Sequence, residues 1–256
     1  MAGLAFKTLG GAGEDVLLIH GFGSDRLSWL ATSPALMPVA RVHALDLPGH
    51  GDSPAGAADG SPLALARLVT GTLTGQGLGR VHLVGHSQGG GLALLIAAQQ
   101  PERVASLTLI APAGLGLGVD RAFLAAYPEL DDAQAIMVML RQLVVQPLLI
   151  NKMMVQRVQA HLARDGVRET LRAIGTGLVH HEAELSKAAE TITSLDLPRL
   201  TLWGEGDAIN PLNEDRLRAF GGVRHVIANA GHLPHIENPK LANEYLTNFL
   251  KHNVAA

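Results

Sequence analysis

One stretch of this 256-residue chain places a serine among glycines at an abrupt change of pattern. Gly85-His86-Ser87-Gln88-Gly89 follows a run of strand formers, "RVHLV", and opens an alanine- and leucine-rich helical pattern that stops at Pro101. A serine hydroxyl becomes a useful nucleophile only when a base takes its proton. A turn this tight strains the residue at its apex, and its neighbours two positions away must be small enough for the backbone to fold back on itself. Gly85 and Gly89 meet that need. A helix that starts directly after the serine points its first amides at any negative charge that develops there.

The chain has twelve histidines to supply the base. His232, in "ANAGHLPHIENP", follows the strand pattern over Arg224–Asn229 and leads into the last helical stretch, so its loop can reach the same end of a sheet as Ser87. His235 is its local rival. His86 adjoins the serine, but at such a turn neighbouring side chains point elsewhere. His20, His43 and His82 read as structural, and His180-His181 lacks the second histidine of a zinc-protease motif. The base needs an acid to fix its tautomer and stabilise its charged form. Asp207, in "LWGEGDAINP", stands just after the run Arg199–Gly204. Glu205 shares that loop and serves on chemistry alone, while Asp46 in "DLPGHGDS" reads as part of a turn. For the oxyanion of an acyl-transfer intermediate, the backbone amides of Phe22, in "HGFGSD", and Gln88 are the candidate donors.

These groups must be carried by a sheet. Val16–His20, Arg41–Leu47, Arg80–Gly85, Val104–Pro112, Arg199–Gly204 and Arg224–Asn229 read as strands, several of them apolar throughout, as in a parallel sheet covered on both faces. Helical patterns over Pro62–Gln76, Gln88–Gln100, Asn213–Phe220 and Pro239–His252 alternate with them, which predicts an α/β, doubly wound, mostly parallel sheet. Residues 119–194 break the rhythm. They carry helical patterns only, over Ala133–Val145, Leu148–Ala163, Gly166–Val179 and Glu182–Ile192, and predict a helical cap inserted between core segments 1–118 and 195–256. Met137, Met139, Leu140, Leu143, Met153 and Met154 either line an apolar pocket above the serine or pack the cap on the core.

Hydrophobic residues make up 47% of the chain and charged ones 17%, and the net charge is −3. That suits a sizeable core and no nucleic-acid surface. There is no cysteine, which excludes disulfides, thiolate catalysis and Cys-based metal sites. No segment approaches a transmembrane length, and "MAGLAFKTLGG" does not read as a signal peptide. The expectation is a cytoplasmic protein, monomer or homodimer, acting on a small molecule with no metal or organic cofactor, no nucleic acid and no membrane.

Taken together, "HGFG", "DLPGHGDS", "GHSQGG" and the pair "WGEGD…AGH" resemble the α/β-hydrolase superfamily over about residues 14–251. The resemblance implies the α/β-hydrolase fold and the chain order Ser87, Asp207, His232 of its triad. A serine at the elbow separates the chain from dehalogenase and epoxide-hydrolase branches. "LLIHGFGSDRLSWL", "VHALDLPGHGDSP" and "VASLTLIAPAGLG" resemble the hydrolase-like domain of the acetoin dehydrogenase E2 component, a dihydrolipoamide acetyltransferase. That enzyme carries an N-terminal lipoyl domain. This sequence begins almost at its first strand, so the expectation is a stand-alone relative or one whose acyl carrier is another chain. The chain is also similar to the meta-cleavage C–C bond hydrolases. Arg157, in "LLINKMMVQRVQAH", matches their cap arginine for the substrate carboxylate, with Met153 and Leu233 as further substrate-binding candidates. His86, Leu233 and Ile236 depart from that family's usual asparagine and tryptophan, and an exposed cap arginine with no ligand role fits Arg157 equally. The activity expected is serine hydrolysis of a small, largely apolar ester, thioester or ketone. Acyl transfer, or ligand binding without catalysis, are the alternatives.

Overall fold

A computed structural model describes residues 3–56 and 59–254. Seven strands, β1 (Phe6–Gly10), β2 (Asp15–Ile19), β3 (Arg41–Leu45), β4 (Val81–His86), β5 (Val104–Ile110), β6 (Arg199–Gly204) and β7 (Val223–Ile227), form one sheet. Their order is β1-β3-β2-β4-β5-β6-β7. All neighbours are parallel except β1, which runs antiparallel to β3. The sequence pattern does not signal β1. "FKTLG" is short and half exposed at the sheet edge, so no apolar run marks it.

Both faces of the sheet are covered, and alternate side chains of one strand go to different layers. On β2, Leu17 and Ile19 enter one apolar layer, and Val16 and Leu18 enter the other. The helices are α1 (Ser33–Leu36), α2 (Pro62–Gly75), α3 (Gln88–Gln99), α4 (Arg121–Ala126), α5 (Ala133–Arg141), α6 (Lys152–Leu162), α7 (Val167–His180), α8 (Glu182–Thr193), α9 (Glu214–Phe220), α10 (Pro234–Glu237) and α11 (Pro239–Asn253). Helix α3 packs against the sheet between α2 and α8. Leu92, Leu94, Leu95 and Ile96 of α3 are all buried. Each such side chain contributes about 1.5–3 kcal/mol of burial. This holds the start of α3, and therefore Ser87, rigidly against β4.

The all-helical stretch 119–194 divides in its packing. Phe123, Tyr127, Ile136, Leu140, Val155, Leu162 and Leu171 form a separate cluster with Ile209 of the core. Leu185, Ala188, Ala189 and Ile192 of α8 belong instead to the main core beside α3. Helix α7 joins the two, with Leu171 in the first cluster and Ile174 and Leu178 in the second. Within this stretch side chains cap three helix starts. Asp120, Asp132 and Asn151 accept from amides in the first turns of α4, α5 and α6. The helical pattern predicted from Leu148 is a 3-10 turn over Pro147–Leu149, and α6 itself begins only at Lys152. No described helix is long and apolar enough to cross a membrane.

Candidate active site

Ser87 occupies the turn between β4 and α3 with φ 51° and ψ −116°, a positive-φ conformation that L residues rarely adopt. The turn is over-determined. The Ser87 amide donates to the Ile110 carbonyl at 2.9 Å, and the Ser87 carbonyl accepts from the amides of Gly91 and Ala113, both at 3.0 Å. The glycines are required by close approach. A Cβ on Gly85 would collide with the Gly89 backbone, and one on Gly89 with the carbonyl oxygens of Ile19 and His20.

The structure brings Asp207 and His232 together across 25 residues. His232 Nδ1 donates to Asp207 Oδ2 at 2.8 Å, and both side chains are buried. A carboxylate only accepts, so the proton sits on Nδ1, leaving Nε2 as the ring nitrogen available to take another. The other carboxylate oxygen of Asp207 accepts from the amides of Ile209 and Asn210, each at 2.9 Å. One residue therefore shapes its own loop and orients the imidazole. The rival residues lie elsewhere. Glu205 is exposed, and His235 is buried with neither ring nitrogen hydrogen-bonded.

The histidine loop is held from two sides. The His232 amide donates to the Leu143 carbonyl at 2.8 Å, and the His232 carbonyl accepts from His86 Nε2 at 2.8 Å. Buried Glu237 accepts from the Gly231 amide at 2.5 Å through Oε1, and from the Val145 and Gln146 amides at 2.8 and 3.1 Å through Oε2. One carboxylate thus ties the histidine loop to the segment after α5. No short motif marks Glu237 or His86 for these roles.

Ser87 and His232 line one cavity of about 620 Å³, with Phe22, Gln88 and Leu233 also in its wall. Gln88 is the first residue of α3, where amides have no partner within the helix. Among the described residues, neither the Phe22 nor the Gln88 amide donates to a protein acceptor. Beside them the wall is apolar, with Phe123, Leu140, Leu143, Ile150 and Met154 among its residues.

One substrate-binding expectation changes. Met153 is 67% exposed and outside the cavity wall, and the neighbouring Met154 lines it instead. One residue is about 100° around a helix, so the two methionines face different ways. Arg157 does line the cavity, but its guanidinium donates to Asp25 Oδ2 at 2.7 Å. In this structure it is a cation paired with Asp25. Beside it Arg26 pairs with Asp46 and Asp52, and Asp46 accepts from the amides of Arg26 and Asp52, which gives Asp46 the turn-forming place expected of it. Among the described residues, no group of three or more His, Asp or Glu side chains is arranged to hold a metal ion.

The comparisons with known proteins agree with this architecture. A profile described as the Alpha/beta hydrolase family matches residues 16–244. A dihydrolipoyllysine-residue acetyltransferase component of the acetoin cleaving system from Pseudomonas putida is 33% identical over 246 residues, covering 96% of this chain and 66% of that protein. The chain thus spans just under two thirds of that relative. A pimeloyl-[acyl-carrier protein] methyl ester esterase from Aeromonas hydrophila is 30% identical over 258 residues, covering 94% of this chain and 96% of the esterase. Among solved structures, a meta-cleavage product hydrolase from Pseudomonas fluorescens superposes with a TM-score of 0.85 at 25% identity, over 97% of this chain and 94% of that one. The seven-stranded, mostly parallel sheet, the strained serine after β4 and a profile match over nearly the whole chain lead to one conclusion: this chain belongs to the alpha/beta hydrolase family.

Proposed function

We propose that this hydrolase acts in the cytoplasm on an uncharged, largely apolar ester or thioester of a small acid, through a covalent acyl-enzyme on Ser87. The observation that carries the reading is the buried 2.8 Å bond from His232 Nδ1 to Asp207, made by an imidazole that shares a cavity with a serine at a strained turn. His232 Nε2 takes the Ser87 proton as Oγ bonds to the substrate carbonyl carbon. The oxyanion is bound by the amides of Phe22 and Gln88. Collapse of the tetrahedral adduct breaks the bond to the leaving alcohol or thiol, which departs with the proton held by His232. Water then adds to the acyl-enzyme, giving its proton to the same nitrogen, and the acid leaves as Oγ is reprotonated. Asp207 holds the tautomer and stabilises the imidazolium. Ser87→Ala should abolish hydrolysis of p-nitrophenyl butyrate by the purified protein; turnover that persists in this variant overturns the reading.

A second reading, acyl transfer to a thiol, has one specific support in the 33% identity to the acetyltransferase component. Incubation with acetyl-CoA and dihydrolipoamide separates the two: acetyl-dihydrolipoamide favours transfer, and free acetate alone favours hydrolysis. Cleavage of a C–C bond in an acidic diketone has less support, because Asp25 already neutralises the arginine that would bind the substrate carboxylate.

A further inference from the structure

Phe22 lies in a loop whose neighbouring peptide groups are each held by a buried side chain. The Gly21 carbonyl accepts from His20 Nδ1 at 2.8 Å. The Gly23 amide donates to His50 Nε2 at 3.0 Å. The Gly23 carbonyl accepts from the Tyr127 hydroxyl at 2.8 Å. The Gly21 carbonyl shares one planar peptide unit with the Phe22 N–H, so His20 sets that plane directly, while the holds on the Gly23 amide and carbonyl fix the two units that follow and so limit rotation about Phe22. Two of these contacts come from far along the chain. His50 belongs to the turn after β3, and Tyr127 follows α4 in the helical stretch between β5 and β6.

Tyr127 is built into this place. It is 1% exposed, and its ring meets the Phe22 ring edge-on at 5.6 Å. Gly23 has φ +70°, and a Cβ there would lie 2.6 Å from the Tyr127 ring, so the glycine lets the tyrosine approach. His50 can accept from Gly23 only as a neutral imidazole with its proton on Nδ1, which donates to the Pro48 carbonyl at 2.9 Å. Burial, with the neighbouring imidazoles of His20 and His161, holds its pKa well below the usual histidine range.

We infer that Tyr127 and His50 are positioning residues for the Phe22 amide, so that the oxyanion site is completed only when the helical stretch is docked on the core. The inference rests on the serine-hydrolase reading and adds to it a dependence on residues that touch no substrate. A group that acts only through the oxyanion donors acts on the tetrahedral state, so its loss lowers kcat and leaves KM alone.

Tyr127→Phe keeps the ring and removes the hydroxyl. The expected result on p-nitrophenyl butyrate is a fall in kcat of roughly tenfold, with KM within about twofold. Affinity for butylboronic acid, which forms a tetrahedral adduct on the serine, should fall by the same factor as kcat/KM. A tyrosine that only packs would leave kcat and boronate affinity at wild-type values, and that result, or a loss confined to KM, overturns the inference. Should Tyr127→Phe fail to fold, His50 supplies the test. His50→Gln retains an acceptor and should keep more of kcat than His50→Leu, and equal losses in both overturn the role. Ser87→Ala is read in parallel. An active Ser87→Ala protein overturns the parent reading, whereas an inactive one beside wild-type kinetics in Tyr127→Phe overturns the positioning role alone.

Discussion

The Nε2–H of His86 donates to the carbonyl oxygen of His232 at 2.8 Å. The residue before the strained serine therefore holds the main chain of the residue paired with Asp207. The His86 ring also lies 4.9 Å from that of His232 and 4.8 Å from that of His235, and the His235 ring is 4.9 Å from Trp29. Behind the imidazole that faces the cavity stands a buried stack of rings with no counter-charge between them.

This stack makes stability depend on acid pH. Burial, then the neighbouring His235 and His232, drives the pKa of His86 well below the ordinary value of 6.5. Burial and His232 lower that of His235 to about 3. Below about 6.5 the unfolded chain binds protons that these two folded imidazoles refuse. Stability is therefore full above that pH and falls as pH drops, by about 1.4 kcal/mol per pH unit for each such group. The melting temperature should decline between pH 7 and pH 4. His235→Phe, which removes one titration while keeping a ring, should give a shallower decline; parallel curves for the two proteins would contradict this.

Asp207 has two duties, and they can be separated. Asp207→Asn keeps an oxygen for the amides of Ile209 and Asn210 but no longer imposes the Nδ1–H tautomer on His232. The expected loss in kcat is about 10⁴-fold, with little change in melting temperature. A loss below tenfold would show that the imidazole is oriented by other groups.

Gly89 is a packing requirement. Its α-carbon approaches the carbonyl oxygens of Ile19 and His20 so closely that no Cβ fits. Gly89→Ala must push α3 away from β2, at a cost of roughly 2–4 kcal/mol. Denaturant unfolding measures it, and a shift under 0.5 kcal/mol would mean the turn relaxes freely.

The arginines and aspartates of the cavity wall are balanced in charge. Arg26, Arg157 and Arg164 line it together with Asp25, Asp46 and Asp52. Neutral esters should therefore be preferred over esters that carry a free carboxylate. Asp25→Asn releases Arg157 and should raise kcat/KM for an acidic ester relative to a neutral one by about two- to fivefold, the reach of one partly exposed pair. An unchanged ratio would show that Arg157 does not face the substrate.

The groups at the centre of this site were legible in the sequence because each stands at a local pattern break. Ser87 interrupts a strand-to-helix change, and Asp207 and His232 each stand in a loop directly after a strand pattern. What supports them was not legible, because it depends on contacts between distant segments. Tyr127 sits in an unremarkable helical pattern, and Glu237 reads as a first-turn helix acid until the loop of Gly231 and the segment of Val145 are folded around it. The same limit explains Met153. Adjacent residues of a helix point about 100° apart, but how α6 packs on the core decides which methionine enters the cavity. It also explains α8, whose apolar stripe looks like that of its neighbours yet packs beside α3 in the main core. Edge strand β1 has too few buried positions to leave a signal.

The most direct test of the account is covalent labelling by a fluorophosphonate, followed by peptide mapping of the modified site. The account predicts stoichiometric modification at Ser87 and nowhere else, lost in Ser87→Ala and strongly slowed in a variant lacking the His232 imidazole. A folded protein that leaves Ser87 unmodified, or that is modified equally well without His232, would contradict it.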